Sequence, residues 1–395
     1  MLRTFATTEE ALDAAPQDSP IYCLRPRLIA DTAREAIAAF PGEVMYAVKC
    51  NDHPLVLQAL AEGGIRHWDV ASAAEVRGTH TLFPDHRLSF MHPVKTPRAI
   101  EEAYFEHGVR VFALDHAEEL DKILAATENA DDLTLMVRLG TVAGMALVDL
   151  SSKFGIDPKT AAPLLRACRD RAGRAGLTFH VGSQCISASA WVKALEMASQ
   201  AVDLAKVPVD LLDVGGGFPA RYRGDEPTFP EVSAEIREAL DWITFKGDPK
   251  VLCEPGRALV AGGMSAVVRV ELRAGDRLYL NDGVYGGLSE LKLLGPVFPM
   301  RVLRPEGAGP VGEEAVFKFY GPTCDSIDTM PGPFWLPADV RTGDWIEIGM
   351  MGAYSNVLRT GFNGFWADRF VQVDDDGPVN EMLPDAAQAA SPFAG

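Results

Sequence analysis

This 395-residue chain has no apolar run long enough to cross a bilayer, so a membrane-spanning protein is not expected. The opening Met1-Leu2-Arg3-Thr4-Phe5 has no apolar segment of the secretory kind. Paired cysteines are missing too. The six cysteines, at positions 23, 50, 168, 185, 253 and 324, contain no Cys-x-x-Cys and no zinc-type spacing. Reduced thiols in a cytoplasmic protein are expected, not a disulfide framework. The eight histidines form no His-Glu-x-x-His pair, and no bound metal is expected. Positive charge is scarce: 37 Lys and Arg stand against 55 Asp and Glu, a net −18. That balance argues against nucleic acid or a membrane surface as partner, since both favour a basic face. No Gly-x-Gly-x-x-Gly follows the first strand, which disfavours an open dinucleotide-binding sheet.

What is present is an ordinary globular composition, 47% apolar and 23% charged, at a length that suggests two domains. A helix is expected over about 28–40. From there one pattern recurs eight times: a short apolar run, a polar or glycine ending, then an amphipathic stretch. The runs are Val44–Lys49, Arg66–Ala71, Arg87–His92, Val109–Asp115, Leu133–Gly140, Leu177–Gly182, Val209–Val214 and Lys250–Glu254. The clearest helical stretches are 54–60, 117–124 and 190–204. Eight alternations predict an α/β fold, a (β/α)8 barrel over 25–260. After Arg257 the style changes to closely spaced strands (265–272, 276–280, 315–320, 344–348) divided by Gly, Pro and Asp. This predicts a mostly β second domain over 261–395, joined by 1–24 through the strand Ile21–Leu24. The Ala-rich stretch from Pro384 reads as a frayed end.

In such a barrel the chemistry lies at the carboxyl ends of the strands. The first run closes on Lys49. Alone, a strand-end lysine that reaches water is commonplace. The second run ends with Trp68-Asp69-Val70-Ala71-Ser72, with Glu75 beyond it, the fifth holds Arg138, and the sixth ends His180-Val181-Gly182-Ser183. The seventh ends Asp213-Val214-Gly215-Gly216-Gly217, and the eighth Glu254-Pro255-Gly256-Arg257. Three glycines alone make only a turn. Beside Gly-Arg on the next strand they suggest a phosphate cradle. A phosphate beside a strand-end lysine suggests pyridoxal 5′-phosphate (PLP), held as a Schiff base on Lys49. Glu254 is placed to keep the pyridine nitrogen protonated, and His180 is a candidate to stack on the ring.

The stretches Tyr46-Ala47-Val48-Lys49, His180-Val181-Gly182-Ser183, Gly215-Gly216-Gly217-Phe218-Pro219, Glu254-Pro255-Gly256-Arg257, Asn281-Asp282-Gly283-Val284-Tyr285-Gly286, Gly321-Pro322-Thr323-Cys324-Asp325-Ser326, Gly352-Ala353-Tyr354 and Phe362-Asn363-Gly364-Phe365 together resemble the fold-type III PLP-dependent decarboxylases, above all the ornithine and ornithine/lysine decarboxylases. The resemblance implies an alanine-racemase-like barrel plus β-domain. It implies that Asp69 and Glu75 lie beside Lys49 and the cofactor, with Arg138 and His180 at the ring. Ser183, Gly215, Gly216, Gly217, Gly256, Arg257 and Tyr354 would hold the phosphate. Cys324 would return a proton to the α-carbon and Asp325 would bind the substrate's distal ammonium. Both would come from the partner subunit of a homodimer with shared active sites. Tyr285 and Phe362, inside matched stretches, are carried as substrate contacts. The loop Thr141–Phe154, with Gly144 and Lys153, would cover the site.

The expected reaction is decarboxylation of a small basic L-amino acid, ornithine to putrescine in polyamine biosynthesis, with lysine or another diamino acid as alternative. One departure bears on that choice. The family often carries a second acid soon after the Asn-Asp-Gly-Val-Tyr-Gly stretch, and here the alignment places Leu294 there, with Glu290 nearby. An amino-acid racemase would pair an arginine, not Glu254, with the ring nitrogen. A non-catalytic binder of the antizyme-inhibitor kind would have lost part of the lysine-to-Asp325 set, which is intact.

Overall fold

The computed structural model describes residues 2–14, 18–141, 146–147, 152–304 and 309–377, in two compact units. One comprises 32–219 and 227–258. The other comprises 1–31, 220–226 and 259 onward.

The first unit is a closed barrel of eight parallel strands. They are β1 (Glu43–Ala47), β2 (His67–Val70), β3 (Arg87–Phe90), β4 (Val111–Leu114), β5 (Thr134–Leu139), β6 (Arg174–Phe179), β7 (Leu211–Asp213) and β8 (Lys250–Cys253). All eight predicted runs are strands, and β8 closes on β1 with Leu252 opposite Glu43 and Cys253 opposite Val44. Burial on both faces accounts for the nearly unbroken apolar composition of these runs. Met91, Ala113 and Met136 form an apolar cluster, with Val111 and Leu211 against it. The intervening helices start where local chemistry demands it. Ser72, Thr96, Asp157 and Thr228 each accept a first-turn backbone N–H. Thr228 and Glu231 form a reciprocal capping box.

The strands are shorter than the apolar runs. β1 ends at Ala47, and Lys49 sits in a single 3-10 turn, Val48–Cys50. The sixth strand is shifted from the predicted run Leu177–Gly182: β6 begins at Arg174, which is exposed, and ends at Phe179.

The second unit is a nine-stranded sheet. Its main path runs Thr4–Phe5, Arg369–Val373, Ile21–Leu24, Met264–Ala274, Arg277–Leu280, Glu314–Tyr320, Thr329–Pro337. Trp345–Ile348 pairs antiparallel with Met264–Ala274 and with Met300–Leu303. Phe5, Leu12, Ile21, Val267, Trp345 and Val371 meet in its apolar core. The side chain of Arg25, fully buried, is held by Glu347 at 2.9 Å and Asp375 at 2.7 Å. The sequence pattern missed 300–303, 329–337 and 369–373. Thr329–Pro337 carries three prolines and a glycine, which ordinarily argue against a strand.

Of the predicted covering loop, Gly144 lies outside the described residues, as does the Ala-rich end. Among the described residues, no helix is long and apolar enough to cross a membrane, and no His, Cys, Asp and Glu cluster is built to hold a metal.

Candidate active site

The barrel unit gathers Lys49, Asp69, Glu75, Arg138, His180, Ser183, Gly215 to Gly217, Glu254, Gly256 and Arg257 on the turns and strand ends after β1, β2, β5, β6, β7 and β8.

The ammonium of Lys49 lies 2.6 Å from Asp69 Oδ2. Asp69 is the penultimate residue of a fully buried strand, opposite Ala47 in the register. Its Oδ1 is buried without a hydrogen-bond partner. Glu75, in the first turn of the helix capped by Ser72, bonds back to the N–H of Ala71 at 2.7 Å. Burial, opposed by that N–H and reinforced by the charge of Asp69, lifts its carboxyl to about 7.

His180 follows β6. Its Nδ1 accepts the N–H of Gly182 at 3.1 Å, so the ring proton belongs on Nε2. Desolvation, then the charges of Arg138 and Lys49, push the imidazole well below its usual range. The ring is therefore neutral at pH 7, a flat face suited to stacking. Thr141 Oγ1 donates to the His180 carbonyl at 3.0 Å. Arg138 on β5 lies with its guanidinium 5.6 Å from the Phe154 ring centre, and the Lys153 ammonium lies 5.0 Å from the same centre.

The glycine turn after β7 is shaped by what it must avoid. Gly215 has φ +66°, and a Cβ there would sit 1.8 Å from the Phe179 carbonyl oxygen. Gly217 has φ +106°, and its Cβ would sit 2.4 Å from the Gly182 oxygen. Both positions demand glycine. Phe218 anchors the turn, fully buried between Trp191 at 5.0 Å and Phe229 at 4.5 Å. After β8, Gly256 passes so close to Cys50 that a Cβ would lie 2.8 Å from the cysteine's own. Arg257 Nη2 donates to Ser183 Oγ at 3.4 Å, linking the turns after β8 and β6.

Glu254 is buried, and its Oε1 has no hydrogen-bond partner. Burial and the carboxyls of Asp213 and Asp69 hold its pKa well above the usual range, with Lys49 opposing. Such an orphaned acceptor fits a ring N–H, the turns after β7 and β8 fit a phosphate, and Lys49 fits an aldehyde. The residues present thus suit PLP. The sequence reading noted Asp213 as a strand end and gave it no role. A lone acid inside Leu211-Leu212-Asp213-Val214 was the available signal.

The remaining candidates belong to the sheet unit. Tyr285 donates its hydroxyl to Asp325 Oδ2 at 2.6 Å. The Ile327 N–H, then Tyr285, hold the Asp325 carboxyl below its usual range. Phe362 lies 4.8 Å from the Tyr285 ring, and Thr360 N–H reaches the Tyr285 carbonyl at 2.7 Å. Cys324 is the one exposed cysteine. Its backbone N–H is taken by Asn363 Oδ1 at 3.1 Å, a contact that sequence alone did not reveal. Tyr354 is half-buried with a left-handed backbone, φ +55°. Glu290 and Leu294 are both buried in the short helix Ser289–Leu294.

Comparison with known proteins matches residues 27–261 to the pyridoxal binding domain of pyridoxal-dependent decarboxylases and 262–352 to their C-terminal sheet domain. A lysine/ornithine decarboxylase of Selenomonas ruminantium is 34% identical over 82% of this chain and 81% of its own length. Among solved structures, the arginine decarboxylase of Paramecium bursaria Chlorella virus, bound to agmatine, superposes with a TM-score of 0.81 at 26% identity, covering 92% of this chain and 98% of its own. A lysine/ornithine decarboxylase from Vibrio vulnificus complexed with putrescine gives 0.79 at 28% identity, over 94% of this chain and 99% of its own. The chain belongs to the pyridoxal-dependent decarboxylase family, with pyridoxal 5′-phosphate as its cofactor.

Proposed function

We propose that the protein decarboxylates L-ornithine to putrescine, with L-lysine as the alternative substrate, in a homodimer whose active sites draw on both subunits. The observation that carries the substrate class is the Asp325 cassette. A carboxylate held ionised by the Ile327 N–H and the Tyr285 hydroxyl, with Phe362 packed on the Tyr285 ring, is a ready partner for a distal ammonium with an aliphatic stem. The bound cofactor supplies a covalent attachment for the substrate amine and an electron sink that lets the carboxylate leave as CO2.

The chain's own residues divide the remaining work. Lys49 would hold the cofactor covalently, with Asp69 orienting its amine. Glu254 would face the ring nitrogen and His180 would lie against the ring, with Arg138 beside it. Ser183, the Gly215–Gly217 turn, Gly256, Arg257 and Tyr354 bind the phosphate. Cys324, contributed by the partner copy with Asp325, delivers the proton to the α-carbon; a thiol titrates near enough to neutrality for that task. Leu294 in place of a second acid leaves one carboxylate to grip the distal amine, which favours a single ammonium over a guanidinium that seeks bidentate partners.

The test is CO2 release from ornithine, lysine and arginine with PLP added. Turnover of ornithine or lysine above arginine is expected. No turnover of any of the three would sink the reading. Lys49→Ala should abolish the absorbance of the lysine-linked cofactor.

A further inference from the structure

Beneath Glu254 lies a second carboxyl that the reaction as described does not use. Asp213 ends β7, fully buried. In the register it lies beside Thr178 of β6 and Leu252 of β8, two residues before Glu254. Thr178 Oγ1 donates to Asp213 Oδ2 at 2.8 Å, and the Gly215 N–H donates to Oδ1 at 3.0 Å. The Glu254 N–H donates to the Gly215 carbonyl at 2.8 Å, and the Asp213 and Glu254 carboxyls lie within hydrogen-bond reach of each other.

Two carboxyls in hydrogen-bond contact away from water hold one proton between them. The donors decide where it sits. Asp213 already accepts from two groups, Thr178 and Gly215, which favours its ionised form. Glu254 accepts from none at Oε1. The arrangement is a neutral Glu254 whose carboxyl proton is donated to an ionised Asp213. The other charges near Glu254 are Lys49 and Asp69, which form their own ion pair.

We propose that Asp213 is a positioning residue that supplies, through Glu254, the negative charge opposite the cofactor's ring nitrogen. Glu254 would then relay hydrogen bonds, accepting the ring N–H at one carboxyl oxygen and donating from the other to Asp213. The dyad as a whole carries one proton and one negative charge, which balances one pyridinium. This rests on the reading that Glu254 faces the ring nitrogen.

The relay makes a prediction that a lone Glu254 carboxylate does not. In Glu254→Gln the amide oxygen still accepts the ring N–H, and the amide N–H still donates to the Asp213 carboxylate. In Asp213→Asn the charge retreats to Glu254. Each single variant keeps one anion, and only the double variant loses it. The direct readout is the ¹⁵N chemical shift of ring-labelled PLP bound to each variant, which reports nitrogen protonation without turnover. A protonated ring nitrogen is expected in the wild type and in both single variants, and a neutral one in Glu254→Gln/Asp213→Asn. In kcat the singles should fall by about tenfold and the double by a thousandfold or more, a non-additive loss. A neutral nitrogen in Glu254→Gln, with Asp213→Asn like the wild type, overturns the relay and leaves Glu254 as sole partner. A protonated nitrogen in all four proteins overturns the Glu254 reading itself. Should the double variant bind no cofactor, Glu254→Gln alone decides between relay and lone carboxylate.

Discussion

At the level of single residues, two glycines separate turn chemistry from helix chemistry. Gly217 has φ +106° and no room for a Cβ, which would meet Gly182 O at 2.4 Å and Val181 Cγ2 at 2.7 Å. An L-residue forced into that backbone costs about 1–2 kcal/mol before any clash, and the atoms it would push are those that hold the turn in place. Gly217→Ala should therefore weaken PLP binding by more than about tenfold, since 1.4 kcal/mol is a factor of ten. Fluorescence titration of the cofactor-stripped protein reads this directly; an unchanged dissociation constant would remove the glycine turn from the phosphate site. Gly78, in the helix Ala73–Leu82, has ordinary φ and nothing within 4 Å of a built Cβ. Gly78→Ala should instead stabilise the protein by about 0.5–1 kcal/mol through helix propensity. Stability measured by urea denaturation checks the second, and a loss there would mean the exposed face is not free.

Elements are joined by buried polar ties that no periodicity announces. Lys95 lies between β3 and the helix Pro97–Phe105, its side chain 1% exposed. Its ammonium donates to the carbonyls of His92 at 2.9 Å and Ala113 at 2.6 Å, and pairs with Glu119 at 3.1 Å. Glu119 is on the helix Ala117–Ala126 and also meets Lys122. Removing one member strands the other, which for buried pairs costs about 3–5 kcal/mol. With Lys122 still beside Glu119, Lys95→Met should cost about 2–4 kcal/mol, and Lys95→Met/Glu119→Leu should recover part of it. A double variant worse than the single would mean the tie is not an ion pair in its energetics. In sequence this lysine follows His92-Pro93-Val94 and looks like a loop residue. The barrel itself was legible because most strands are buried on both faces and several helices open on a capping residue, Ser72, Thr96, Asp157 and Thr228 among them. Lys49, Glu254 and the glycine turn were legible because charge or glycine interrupts an apolar run. Thr329–Pro337 was not, because its proline content masks a strand whose partner, Glu314–Tyr320, holds it by long-range pairing. The Asp213–Glu254 contact was not, because the two residues are 41 positions apart and only the pairing of β7 with β8 across the intervening helix brings them together.

Across the whole molecule, proton balance follows from where the acids are buried. The net charge is −18, yet each unit keeps a carboxyl that resists ionisation. Burial lifts Glu75 of the barrel to about 7 and Asp282 of the sheet to about 7, though Asp282 accepts the N–H groups of Gly283 at 2.9 Å and Gly287 at 3.0 Å. A carboxyl whose folded pKa exceeds its unfolded one binds more protons when folded, so it contributes stability below the unfolded value that is lost as pH climbs through the folded one. His180, His86 and His92, all depressed, act in the opposite sense below about 6.5. The net profile therefore blends opposing groups, and a single-site difference is the clean observable. Glu75→Gln retains an acceptor for the Ala71 N–H and does not titrate. Relative to this variant, the cofactor-stripped wild type should lose about 3 kcal/mol of unfolding free energy between pH 4.5 and pH 8, at 1.36 kcal/mol per pKa unit over the interval from 4.5 to about 7. Urea midpoints of both proteins at four pH values across that window measure it. Parallel profiles would show that Glu75 ionises in the folded barrel as easily as in the open chain, its carboxylate then fully met by Lys49 and the Ala71 N–H.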